Sequence, residues 1–564
     1  MCRMGYWSSS SSGFTAVPFA LYVRLCDSIP LYPAMKQVPG GERLLIPDIL
    51  ARNARIYPDR IALILGEESV PYRELAARVA LRAAALRGLG IGKGDRVAVL
   101  TLNSPSYVEL LYAVTQIGGI LLPLNEQLIA RELAAALRHA DAKAVFFSDA
   151  FREVTGRLRP ELPRHTLFSA IDRLPAGTGG SPEGGANPDV PAGEPVPLTD
   201  SDIAILVYTG GTSGTPRGAM LSHGNLVAAS VSAALELGLS RNDVYLSCTP
   251  LPFMAGTGRL LRFQYMGGTI VLLPEFDPEE VLRTIERSKI THLLLTPTMM
   301  ARILDFPSAS RFNLATLKTV LYGGSAIPIE LQKRAIRFFR CGLVQSYGQV
   351  ESSGVLTFLH AEDHSLEESA PYMRKLMSVG KESIGVEVRV ADESGREVAP
   401  NQVGEVVARG PNVFKGYFRD PAATSEVLRD GWLHTGDVAS IDDEGYIYIV
   451  DRKRDTLMVG GISVAPREIE DVIEEHPAVR EAAVIGRPDY DLGEVPIAVV
   501  ALREGAQADA DAILAHCRAN MAPFKVPRFV EFIPSLPRNS QGKVLKVKLK
   551  GKQVSGAIPR TPRR

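Results

Sequence analysis

Neither charge is in excess in this chain: 63 Lys and Arg stand against 63 Asp and Glu in 564 residues. A surface with that balance offers no electrostatic footprint for nucleic acid or an anionic membrane. No apolar run approaches the length of a membrane span, so an integral membrane protein is not expected. The five cysteines (Cys2, Cys26, Cys248, Cys341, Cys517) are scattered and form no Cys-x-x-Cys pair, which fits a reduced, cytoplasmic compartment. Two catalytic signatures are missing as well. The Walker-type Gly-x4-Gly-Lys-Ser/Thr does not occur, nor does the Gly-x-Ser-x-Gly elbow of α/β-hydrolases.

What is present is alternation. "RVAVLTLN" from Arg96 reads as a strand, Ser104-Pro105 as a helix start, and Gly118-Gly119 as the helix end. "AKAVFFS", "THLLLTP" and "LKTVLYGG" repeat the strand theme, which predicts largely parallel sheets covered by helices. The length demands at least two domains. A Pro/Gly-rich linker lies between Leu174 and Glu194, and after Val450 a smaller unit begins, with helix "REIEDVIEEH" and strand "EVPIAVVALRE". Residues 1–38 are Ser-rich and lack the features of a signal peptide; they read as a disordered extension, with Met35 a sensible initiator. From Lys546 the chain reads as a solvated basic tail.

"YTGGTSGTPRG" (Tyr208–Gly218) puts four glycines among Thr209, Thr212, Ser213 and Thr215. Gly210, Gly211 and Gly214 let backbone N–H groups turn toward one point, the hydroxyls add donors, and Arg217 adds a permanent cation. Such a loop suits a polyphosphate. The flanking pattern reads strand, loop, helix, with Ser222 as N-cap and Gly238 as stop. His360 and His364 have metal-like spacing, but their polar context reads as a solvated loop.

"SYGQVE" (Ser346–Glu351), "GWLHTGD" (Gly431–Asp437), "DRKRD" (Asp451–Asp455) and "PRNSQGK" (Pro537–Lys543) follow the loop in order. Together they resemble the adenylate-forming acyl-CoA synthetases, a family that includes luciferases and peptide-synthetase adenylation domains. The resemblance spans residues from about 40 to 550. It implies an α/β architecture, α+β overall: a large N-terminal domain (39–453) of helix-covered sheets plus a distorted barrel, and a small mobile α+β domain (454–550), with 551–564 left as a tail. It also implies the activity. A carboxylate attacks the α-phosphate of ATP, pyrophosphate leaves, and the thiol of coenzyme A displaces AMP. An anion attacking an anion needs cations and fixed donors at the α-phosphate.

By the same resemblance, Tyr347, flanked by Ser346 and Gly348, stacks on adenine. Glu351 holds Mg2+, Asp437 and Arg452 take the ribose hydroxyls, and Lys543 neutralises the developing charge. Lys543 also matches the family's lysine-acetylation target. The hinge falls on Arg454, and Gly460 and Gly461 line the coenzyme A channel. Phe253, Met254, Tyr322, Gly323 and Gly324 line the acyl pocket. Two positions depart from the family: Val350 replaces a Thr hydroxyl, and Phe253 stands where many relatives carry His. Phe253 and Met254 favour a fatty or aryl acid. Left open are a carrier protein as acceptor, a non-catalytic nucleotide-binding relative, and pairing with a second copy of the chain.

Overall fold

The computed structural model describes residues 45–126, 128, 130–174, 196–209, 217–324, 327–366, 370–452, 457–459, 462–464, 466–489, 493–521, 523–539 and 542–550. The glycine-rich loop 210–216, the hinge Arg454 and the channel glycines Gly460 and Gly461 lie outside them. So do most of the Pro/Gly-rich linker and the whole N-terminal extension.

Two large sheets organise the first 380 or so residues. One has nine strands and the other six, and most neighbouring strands in both run parallel. Their strands are short apolar runs such as Val97–Leu100 and Ala144–Phe147, buried on both faces as parallel strands between helices must be. Helices Tyr72–Gly88, Pro105–Gln116, His223–Glu236 and Met254–Tyr265 supply Val79, Leu110, Leu226 and Leu260 to one core. That core also takes Leu63 from the nine-stranded sheet and Val97 from the six-stranded one, so the helices form a shared layer between sheets. The start of helix Pro105–Gln116 is as expected, with Ser104 Oγ accepting from Tyr107 N.

The next sheet is antiparallel, built from Glu387–Ala391, Val403–Arg409, Trp432–Ile441, Leu428–Arg429 and Ile447–Arg452. It contributes Asp437 to the site. The last sheet, centred on Val479–Asp489 and Gly493–Leu502, is flanked by helices Pro466–Glu474 and Ala510–Asn520.

Two local expectations are corrected. The polyphosphate loop is not followed directly by a helix: strand Arg217–Ser222 intervenes and pairs antiparallel with Ile203–Thr209. The strands on either side of the loop are therefore the two arms of a hairpin. Its return strand was hidden because "RGAMLS" carries only a short, small-residue alternation. The helix His223–Glu236 does begin at Ser222, whose Oγ accepts from Asn225 N at 3.2 Å. The basic tail also starts later than expected. Residues Lys546–Lys550 form a helical turn that buries Leu549, and Lys546 reaches Glu470 at 2.9 Å.

Candidate active site

Strands from different sheets meet at Tyr347. It ends strand Gly342–Tyr347, and its hydroxyl donates to Asp437 Oδ2 at 2.7 Å. Asp437 lies within strand Trp432–Ile441 and is only 4 % exposed. The turn before it is tied down from below: Glu405 accepts from Gly436 N at 3.0 Å and lies 3.2 Å from His434 Nδ1. Register places the Arg452 backbone directly opposite Asp437. The two ribose candidates are thus brought together by sheet pairing, although 15 residues separate them in sequence.

Glu351 sits in the helical turn Val350–Ser352, buried among core side chains. Its Oε1 accepts from the Tyr417 hydroxyl at 2.7 Å. Beside that carboxylate, with burial as the larger cause, the Tyr417 phenol is held far above its ordinary pKa and stays a donor. The Arg217 guanidinium lies over the Tyr417 ring, 5.5 Å from its centre, and within 4.0 Å of Asp420 and 3.8 Å of Glu426. The backbone of 414–418 threads these groups together. Phe414 N donates to Glu351 O at 2.8 Å, while Lys415 N and Phe418 N donate to Met220 O and Gly218 O on the hairpin. The hairpin strand and the acidic turn therefore share one strut. Val350 packs against the main apolar core, which is what a methyl can do there and a hydroxyl cannot.

Of the acyl-pocket candidates, Phe253 is the N-cap residue of helix Met254–Tyr265 and Met254 its first residue. Gly323 is pressed against strand Gly342–Tyr347: a Cβ there would lie 2.3 Å from the Ser346 carbonyl oxygen. Gly324 follows it with φ +84°. Tyr322 is wholly buried, and its hydroxyl donates to His364 Nε2 at 2.7 Å. His364 Nδ1 in turn faces the His360 carbonyl at 2.7 Å, and burial lowers its pKa, which keeps the ring neutral. The segment is thus not the solvated loop expected, because His364 is a buried anchor for Tyr322. His360 pairs with Glu236 at 3.0 Å, which raises its pKa. Among the described residues no cluster suited to a metal ion occurs at these histidines or elsewhere.

Lys543 belongs to the last sheet's periphery. It closes a tight hairpin in which Asn539 N donates to Lys543 O at 2.8 Å and Lys543 N donates to Asn539 Oδ1 at 2.9 Å.

Sequence reasoning missed Tyr417 and the buried pair Arg259 and Arg262. Tyr417 had a faint signal, an aromatic in the "FKGYF" run; the arginines had a better one, two cations at i, i+3 amid "GRLLRF".

The strands flanking the glycine-rich loop and the Glu351 turn are thus tied to one backbone segment, and Tyr347, four residues before Glu351, is bonded to Asp437. Residues 50–418 match the AMP-binding enzyme family and 468–543 its C-terminal domain. The chain is 39 % identical to a feruloyl-CoA synthase of Amycolatopsis sp, over 88 % of its length and 96 % of that protein's. Its structure resembles o-succinylbenzoate CoA synthetase from Bacillus subtilis in complex with the acyl-adenylate intermediate: TM-score 0.80, 29 % identity, 91 % of this chain and 99 % of that one. The same enzyme in complex with ATP and magnesium ion matches at TM-score 0.78 and 29 % identity, covering 89 % and 99 %. The chain belongs to the AMP-binding enzyme family, as an acid–CoA ligase that uses ATP and coenzyme A as substrates. No helix among the described residues is long and apolar enough to cross a membrane.

Proposed function

We propose that the chain activates an aryl or arylpropenoic acid, and that the residues named above divide the work. The support for an aryl substrate is the likeness to the feruloyl-CoA synthase together with the apolar Phe253 and Met254 at the pocket mouth.

The hairpin tip holds the β- and γ-phosphates of ATP, with Arg217 as its fixed cation. Tyr347 covers adenine while its hydroxyl orients Asp437 toward the ribose. Glu351 fits a Mg2+ ligand: it is a buried carboxylate, and among the described residues only Oε1 is engaged by the protein. Mg2+, when bound there, supplies charge neutralisation at the phosphates. Lys543 carries the ammonium that stabilises negative charge as the acid's carboxylate attacks the α-phosphate, a charge greater in the transition state than before it. The small domain then turns about Arg454, and Gly460 and Gly461 admit the pantetheine arm.

The Tyr347–Asp437 bond, with Asp437 buried and Glu351 four residues beyond Tyr347, carries this reading. The test is pyrophosphate release with Mg-ATP over aryl and fatty acids, with and without coenzyme A. Acid-dependent release with aryl acids, and acyl-CoA only when coenzyme A is added, is expected. Adenylate without acyl-CoA would move the acceptor to a carrier protein. Lys543→Ala should lower adenylation by about 10²–10³-fold while sparing thioester formation from supplied acyl-adenylate. Equal loss of both steps would remove Lys543 from the first half-reaction.

A further inference from the structure

Two guanidiniums lie on the helix that begins at the acyl-pocket candidates Phe253 and Met254, with most of their donors unused. Arg259 and Arg262, at i, i+3 on helix Met254–Tyr265, are 4 % and 1 % exposed. Arg259 Nη2 bonds to Ser346 Oγ, on the strand pressed against Gly323. Arg262 Nη2 donates to Ser353 O at 3.0 Å and would lie 3.3 Å from a Cβ at Gly354, which would also touch Met254. Arg259 thus meets the residue that abuts the acyl-pocket candidate Gly323, and Arg262 borders the same glycine as the candidate Met254. The Nε and Nη1 of each arginine are buried and have no hydrogen-bond partner. Among the described residues no carboxylate comes within ion-pair distance of either one.

That arrangement is costly. Loss of hydration, and for Arg262 also the like charge of Arg259, disfavours the charged forms and pushes Arg259 down to about 10 and Arg262 well below its usual range. Anchoring a serine hydroxyl and one carbonyl needs a single donor from each side chain, and an amide would provide it without burying a charge. The unused donors point to an anion that arrives from outside the protein.

We propose that Arg259 and Arg262 form an anion subsite within the acyl pocket, and that the acid activated carries a second carboxylate which this subsite reads. The inference rests on the ligase reading above and narrows it. A planar carboxylate matches the guanidinium fork, neutralises the pair, and satisfies donors that the protein leaves buried. A neutral acid of the same size would leave them stranded, and sites built this way reject analogues that lack the partner group. The second carboxylate takes no part in bond making. It holds the far end of the acid while the first attacks ATP.

The experiment compares matched acids on the full chain with Mg-ATP. Each aryl acid bearing a second carboxylate, scanned around the ring, is paired with the same acid carrying a methyl or methoxy group there. Pyrophosphate release is expected to favour one diacid over its neutral partner by about 100-fold or more in kcat/KM. In Arg262→Met and Arg259→Met that ratio should fall by a similar factor. Should either variant fail to fold, Arg262→Lys should raise KM for the diacid while leaving kcat nearly unchanged, because it keeps the charge and loses the fork. Wild-type preference for the neutral partners at every ring position would overturn the proposal, as would equal loss of both members of a pair in the variants. Silence with every acid, with ATP still bound, would overturn the ligase reading and the subsite with it.

Discussion

Two pairs of arginines enter the core of this protein, one of them with Arg78 only partly buried, and the fold treats the pairs in opposite ways. Arg82 meets Glu109 Oε2 at 2.6 Å, the Ile171 carbonyl at 2.7 Å and Ser106 at 3.2 Å, so each of its nitrogens is bonded. Its neighbour Arg78 shares Glu109 at 3.3 Å. Arg259 and Arg262, equally buried, each engage one nitrogen and face no acid among the described residues. Both pairs lie on helices of the same layer, Arg82 on Tyr72–Gly88 and the others on Met254–Tyr265. Buried charge with a full set of partners is structural; buried charge without them is a stored demand for a ligand.

The widest separation should come from breaking the compensated pair. Glu109→Gln leaves Arg82 buried without its counter-ion and is expected to cost about 3–5 kcal/mol of stability, read by urea denaturation, with substrate preference unchanged in the folded fraction. Arg262→Met is the mirror image. It removes an uncompensated charge, so stability should hold or rise by up to about 2 kcal/mol, while the diacid preference collapses as described above. A large stability loss in Arg262→Met would erase the distinction between the pairs.

Histidine offers a third treatment of buried basic groups, namely loss of the charge. Burial lowers His223 and His292 to about 4, against opposing pulls from Asp202 and Asp243. His223 Nδ1 accepts from Ile46 N at 3.3 Å, a bond that protonation would abolish. The unfolded chain binds these protons near pH 6.5, and the fold refuses them until about pH 4. Their contribution is therefore fully present above pH 6.5 and lost as pH falls toward 4. Stability measured from pH 7 to 4.5 should drop by roughly 2 kcal/mol for each histidine, and His223→Gln should flatten the curve.

The smallest effect belongs to Tyr417→Phe. It removes one hydrogen bond to a carboxylate, about 1–2 kcal/mol, and frees Glu351 Oε1. The Mg2+ concentration for half-maximal adenylation should shift several-fold, with KM for the acid unchanged. A shift in both would make Tyr417 a general packing residue rather than a positioning residue for Glu351.

Much of this was legible in the chain. Apolar runs bounded by Gly and Pro located the parallel strands, and Ser104-Pro105 marked a helix start that forms as expected. Motifs in fixed order pointed to the family, and the family matches bear that out. Less legible were elements whose identity depends on what they touch. "RGAMLS" reads as loop until strand Ile203–Thr209 lies beside it. His364 reads as polar surface until Tyr322 is placed against it from 42 residues away. Lys546–Lys550 reads as tail because three of its five residues are lysine, yet its one leucine is buried.

Local sequence determined which residues are candidates for chemistry: the glycines and hydroxyls of the loop, Glu351, Asp437 and Lys543 are all chosen by side-chain type within short motifs. Tertiary structure alone decided which partners those residues meet. Tyr417 reaches Glu351 across 66 residues, and Tyr347 reaches Asp437 across 90. It also decided which buried charges are answered, since Glu109 lies 27 residues from Arg82 and, among the described residues, no carboxylate pairs with Arg262. A side chain's donors are written in its identity, but whether they are satisfied depends on long-range packing, which no local pattern contains.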